Sequence, residues 1–191
     1  MKTACRALAV TLVIAPTGAL AQTVPEPEDR HEITLDIDND GKADRAVLIQ
    51  KPASRNGDLY IYLDAGTGTL DPSRKPAIVK ANLTDARING FESKGQGKHK
   101  QSLVITYGCG GCSSDYETTL TIVHRGGRFL VAGYTYSWET RDGSGRCDVN
   151  FLTGKGTLSR KLGKSRPIKG AFAPVALADW SDVKRPKACL R

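Results

Sequence analysis

Nine residues carry the clearest chemical signal in this chain: Asp36-Ile37-Asp38-Asn39-Asp40-Gly41-Lys42-Ala43-Asp44. Acidic side chains at the first, third, fifth and ninth positions, with glycine at the sixth, let a tight loop wrap a hard cation. Asp36, Asp38 and Asp40 are expected to supply carboxylate oxygens and Gly41 to permit the sharp turn. Lys42 is expected to offer its backbone carbonyl, and Asp44 to bind directly or through water. Calcium suits an all-oxygen site because it accepts about 6–8 ligands in flexible geometry, and water or a distant residue would complete the shell. The twelfth position is Val47 rather than the bidentate glutamate of an EF-hand, and the flanks alternate like strands. Four carboxylates crowded into one loop repel one another, and Lys42 and Arg45 offset this only in part. A divalent ion would remove the repulsion and tie two strands together, a structural role.

The stretch from Leu35 to Ile49 resembles the calcium loop of the FG-GAP and VCBS repeat families. In those families Asp-x-Asp-x-Asp-Gly-x-x-Asp bridges two strands ahead of an apolar strand, here Ala46-Val47-Leu48. The resemblance covers one copy and implies the loop and its metal.

Of the five cysteines, four lie beyond Cys5, and these, Cys109, Cys112, Cys147 and Cys189, fit an oxidising compartment and allow three disulfide pairings. The favoured set is Cys109–Cys112 with Cys147–Cys189. Gly110 and Gly111 let the short bridge close, and the long bridge pins a C-terminal stretch poor in apolar residues. Closing the long loop restricts the unfolded chain by about 4 kcal/mol in the loop-entropy picture, and the short one by about 2 kcal/mol. Tyr134, Tyr136 and Trp138 sit two apart and share one face of a strand. Exposed, they would form a binding face for sugar rings or a partner's side chain; buried, they are core.

No catalytic residues emerge. His31, His99 and His124 lack metal spacing, and no Gly-x-Ser-x-Gly elbow is present. Gly163-Lys164-Ser165 lacks the upstream glycine of a phosphate loop, since that position is Leu158. Asp115, Glu117 and Glu139 are the acids a hydrolase would use as an acid–base pair.

The elements around these residues read as strands. Ile33, Leu35 and Ile37 alternate with polar neighbours, as do Leu59 to Leu63, Leu103 to Tyr107 and Thr118 to Ile122. Gly126-Gly127 marks a hairpin turn before Phe129 to Trp138, and Arg146–Leu152 and Gly156–Lys161 are further strands. Ala173 to Trp180 is expected to form at most one short C-terminal helix, one turn or two, starting near Pro174. The fold class is therefore all-β, a mainly antiparallel sandwich or strongly curved sheet.

Residues 1–21 read as a signal peptide, with Lys2 and Arg6 ahead of the apolar run Ala7–Ile14 and Ala19-Leu20-Ala21 as the cleavage site. Residues 22–31 follow as an exposed leader, and 32–191 as a single disulfide-linked β domain. The chain has 191 residues with 39% apolar and 25% charged, which supports a folded core over disorder. No apolar run reaches the roughly 18 residues of a membrane span, which excludes a polytopic membrane protein and leaves no transmembrane segment in the mature chain. Ten of the 28 lysines and arginines lie after Asn150, against only Asp179 and Asp182, so the C-terminal part is strongly basic. Outside the cytoplasm that charge points to anionic lipid, polysaccharide or an acidic protein, not nucleic acid. The expectation is a periplasmic or secreted, non-enzymatic binding protein with a structural calcium loop. It would act as an inhibitor or immunity-type partner of an envelope protein such as a cell-wall hydrolase. A carboxylate hydrolase and a glycan- or lipid-binding envelope module are the alternatives.

Overall fold

Side chains of period two put alternate residues on opposite faces of a strand, and here they build two antiparallel meanders. The computed structural model describes residues 29–51, 54–95, 101–161 and 163–189. The expected signal at 1–21, residues 22–28 of the expected leader, and His99 lie outside them. The first sheet runs β1 (Asp29–Leu35), β2 (Asp44–Gln50), β3 (Gly57–Tyr62) and β4 (Ile78–Thr84), each beside its predecessor. The second runs β5 (Arg87–Lys94), β6 (Ser102–Cys109), β7 (Asp115–Arg125), β8 (Arg128–Thr140), β9 (Gly143–Asn150), β10 (Lys155–Arg160) and β11 (Arg166–Ile168), again in chain order. A two-residue strand, β12 (Val175–Ala176), pairs with the start of β8.

The two sheets stack as a sandwich. Leu35, Ala46, Leu48, Leu59 and Ile61 of the first face Leu103, Ile105, Leu120, Ile122 and Val131 of the second in one buried cluster. Such burial is the main favourable term in folding. The Gln50 amide spans the sheets: its Nε2 donates to the Ala86 carbonyl at 2.7 Å and its Oε1 accepts from Ile88 N–H at 3.4 Å. The end of β2 is thereby held to the start of β5.

Three expectations meet the structure here. Asp29, Arg30 and His31, placed in the leader, pair with Gln50, Ile49 and Leu48 as the opening of β1. Among the described residues the C-terminal segment carries no α-helix, within the expected limit of at most one short helix. In its place stand β12 and a single 3-10 turn at Leu177–Asp179, followed by two more such turns. Val175 and Ala176 pair with Val131 and Leu130 at the start of β8, and Leu177 and Trp180 are buried. Trp180 packs between Tyr134 and Phe151, each at a ring separation of 6.0 Å. The third concerns the two alternatives open at Tyr134, Tyr136 and Trp138, core or binding face. They share a face as expected, but it is the inward one. Tyr134 and Trp138 are buried, and the half-buried Tyr136 stacks on Trp138 at 5.6 Å. They belong to the core, not to a binding face.

Candidate metal centre

The Asp36–Asp44 loop joins β1 to β2, and its conformation follows from its own side chains. Asn39 and Gly41 take positive φ of 65° and 89°, the left-handed region that Asn and Gly tolerate best. The Asp36 carboxylate accepts from the N–H groups of Asp40 and Gly41, both at 3.1 Å. Asp38 accepts from Asp40 N–H at 3.2 Å, and Asp40 accepts from Lys42 N–H at 2.8 Å. Short acidic side chains bonding nearby amides in this way replace the backbone pairing that the loop lacks.

The outcome is convergence. One carboxylate oxygen from each of Asp36, Asp38 and Asp40 lies within 4.8 Å of the others. Lys42 neutralises part of the cluster, its ammonium sitting 2.9 Å from Asp64 and 3.1 Å from Asp40. The Lys42 amide and then its ammonium hold the Asp40 carboxyl below its ordinary value. Asp64 first, and Asp40 second, raise the ammonium well above the ordinary lysine range.

Asp44 stands apart from the triad. It is fully buried, with one oxygen accepting from Ile37 N–H at 2.8 Å and the other from Asp64 N–H at 2.9 Å. Burial pushes its carboxyl up, and the two amides pull it part of the way back. Its two hydrogen bonds fasten the loop to the segment after β3, and it lies outside the group formed by Asp36, Asp38 and Asp40.

Two residues essential to this geometry carry no local sequence signal. Gln101, at the entry to β6, accepts from Asp36 N–H at 2.7 Å across 65 positions of chain. Asp64 receives Lys42 and donates its own N–H to Asp44. Only the paired sheets bring either of them to the loop. Asn39 and Gln101 also wall a cleft of about 690 Å³ on the outer face of β7–β9, where Thr121, Thr135, Asp148 and Asn150 supply polar groups.

The cysteines form two pairs at disulfide distance, with Cα separations of 5.9 Å for Cys109/Cys112 and 5.4 Å for Cys147/Cys189. The first closes the turn between β6 and β7, and the second fastens β9 to the last 3-10 turn. Asp115 pairs directly with Glu139 across β7 and β8, and Glu117 stands two residues along the same face. All three border a hollow of about 300 Å³ beside Cys109 and Trp138. Asp115 is occupied there, accepting from Cys112 N–H at 2.9 Å. His31 and His124 stand apart, each beside a phenylalanine, Phe91 and Phe129 respectively.

Compared with known proteins, the chain matches no family model, no curated protein and no solved structure. Among the described residues, no helix is long and apolar enough to cross a membrane.

Proposed function

We propose that this protein is an exported, non-enzymatic β-sandwich that takes up calcium in its Asp36–Asp40 loop and acts by binding an envelope partner, in the manner of an inhibitor or immunity protein. The observation that carries the calcium reading is the convergence of Asp36, Asp38 and Asp40 within 4.8 Å. Three hard oxygen donors suit calcium, with water or neighbouring carbonyls completing the shell. The amides of Asp40, Gly41 and Lys42 orient those carboxylates in advance, so little ordering remains for the ion to impose. The ion's role is structural. It would take over the charge balance that Lys42 supplies to Asp40 and stiffen the β1–β2 turn. The likeness of Leu35–Ile49 to the FG-GAP and VCBS calcium loop favours the same ion. Export is favoured by the signal-like residues 1–21 and by two cysteine pairs at disulfide distance. Partner binding is favoured by the Cys109–Asp115 turn and the polar cleft beside the loop.

Calorimetric titration of EDTA-stripped protein with calcium, read beside its melting temperature, tests the ion. One site per chain is expected. At a calcium concentration of about 100 Kd the stabilisation is about 2.7 kcal/mol, or about 5–11 °C for a chain of this size. Asp38→Asn should abolish most of that response. No heat and no thermal shift would remove calcium from the account. Pull-down from periplasmic extract tests the partner: one stoichiometric protein supports an inhibitor role, and its absence counts against it.

A further inference from the structure

The second sheet ends in a bare, positively charged edge. Lys155, Arg160, Lys161, Lys164, Arg166 and Lys169 all lie on β10, on β11 or in the turns beside them, and all are exposed. Among the described residues none of the six has a carboxylate within 4.0 Å. Two acids border the edge. Asp148 is engaged by Thr135 at 2.8 Å and Arg146 at 3.7 Å, and Asp142 shares a hollow with Arg160 and Lys161.

The strand register shows how the cations are arranged. Lys155 pairs with Asn150 and projects on the outer face, whereas Arg160 and Arg166 share the inward-facing row of Leu158. Lys155 therefore stands on the outer face and Arg160 and Arg166 on the other, along a six-residue strand about 20 Å in length. A linear polyanion lying along the edge would meet these cations in succession. Pro167 removes the central N–H of β11, so the edge is poorly suited to pairing with an added strand, and recognition falls to the side chains.

We propose that the β10–β11 edge is a docking track for a linear acidic polysaccharide, its carboxylates paired with these lysines and arginines. The proposal rests on the reading above only in placing the protein outside the cytoplasm, and it is independent of the calcium loop.

Binding of the full chain to polygalacturonate, measured in EDTA across a salt series, tests it. Two variants of equal net charge are compared: Arg160→Gln, Lys161→Gln, Lys164→Gln, Arg166→Gln on the track, and Arg55→Gln, Lys75→Gln, Arg87→Gln, Lys184→Gln elsewhere. The track variant should lose about tenfold or more in affinity at low salt, with a shallower salt dependence. The second set should stay near wild type. All eight positions are exposed, and melting curves establish that both variants fold. Equal losses in the two variants would reduce the effect to overall charge and overturn the proposal. So would anionic phospholipid vesicles capturing the wild type as tightly as the polysaccharide. Because EDTA is present throughout, failure here leaves the calcium reading standing, and a silent calcium titration leaves the track standing.

Discussion

Replacing Asp44 by asparagine separates an anchor from a ligand. The carboxylate is fully buried and accepts from two amides, Ile37 N–H at 2.8 Å and Asp64 N–H at 2.9 Å. Asparagine keeps one oxygen for one of them and turns an NH2 group towards the other. A hydrogen bond to a charged acceptor contributes about 1.5–3 kcal/mol, and a buried donor left without a partner costs about 1–3 kcal/mol. Against this, asparagine no longer suffers the desolvation that pushes the Asp44 carboxyl up. The net expectation is about 2–3 kcal/mol of lost stability, or about 4–12 °C in melting temperature. The assay is thermal unfolding at neutral pH, once in EDTA and once in saturating calcium. An anchor gives the same drop in both, with the calcium-induced rise intact. Asp38→Asn should do the reverse, changing little in EDTA and removing the rise. If Asp44→Asn melts within about 1 °C of wild type in EDTA and loses the calcium response, Asp44 is a ligand and the geometry has been misread.

Three other perturbations have equally direct outcomes. Burial alone would raise the Asp58 carboxyl, but the Lys51 ammonium at 2.8 Å and Asn82 N–H at 2.8 Å outweigh it and hold the group below its ordinary value of 3.8. Its stabilisation is therefore full above pH 3.8 and is lost as the pH falls through the lower folded-state value. Asp58→Asn should cost about 1–3 kcal/mol at neutral pH, and denaturant titrations should show the gap to wild type narrowing in acid. A Cβ on Gly145 would lie 2.6 Å from Trp138 Cη2 and 2.7 Å from the Ser159 carbonyl oxygen. Gly145→Ala should lower stability by about 1–3 kcal/mol and shift Trp138 fluorescence to the red, and an unchanged spectrum would contradict the packing. Cys189→Ser should lower stability by up to about 4 kcal/mol in the loop-entropy account and leave the 3-10 turn at its own position open to proteolysis before the sheets unfold.

The architecture was legible wherever alternation was clean. Leu59-Tyr60-Ile61-Tyr62, Leu103 to Tyr107 and Thr118 to Ile122 all became strands with the apolar set inward. β4 and β5 were missed for a physical reason. Asn82 sits at a φ of 51° inside β4, and the Asn89-Gly90 pair accompanies a register shift within β5, so neither segment shows an unbroken period of two. β11 is three residues long with a proline at its centre, below what a pattern can reveal. Within the site, spacing alone identified the triad of Asp36, Asp38 and Asp40 as a group. It gave no sign that Asp44 also accepts from Asp64 N–H, because that group arrives from 20 residues away. The Tyr134–Trp138 row illustrates the same limit. Period two identifies which residues share a face, but only the other sheet and the C-terminal segment decide that the face is buried.

The loop therefore does more than turn a chain between β1 and β2. Asp36 is tied through its N–H to Gln101 at the entry to β6, and Asp44 is tied to the segment leaving β3. Gly66 N–H adds a bond to the Ala43 carbonyl at 2.9 Å. Three connections that are distant in sequence thus meet at a single turn, two from the first sheet and one from the second. The amides of Asp40, Gly41 and Lys42 are already committed to the Asp36, Asp38 and Asp40 carboxylates, so the remaining lone pairs face a cluster that, among the described residues, Lys42 compensates in part. A divalent ion entering there would act on all three connections together. Its effect should register as a rise in the cooperative melting of the whole sandwich, where a mere fray-proofing of the turn would leave the global transition unmoved.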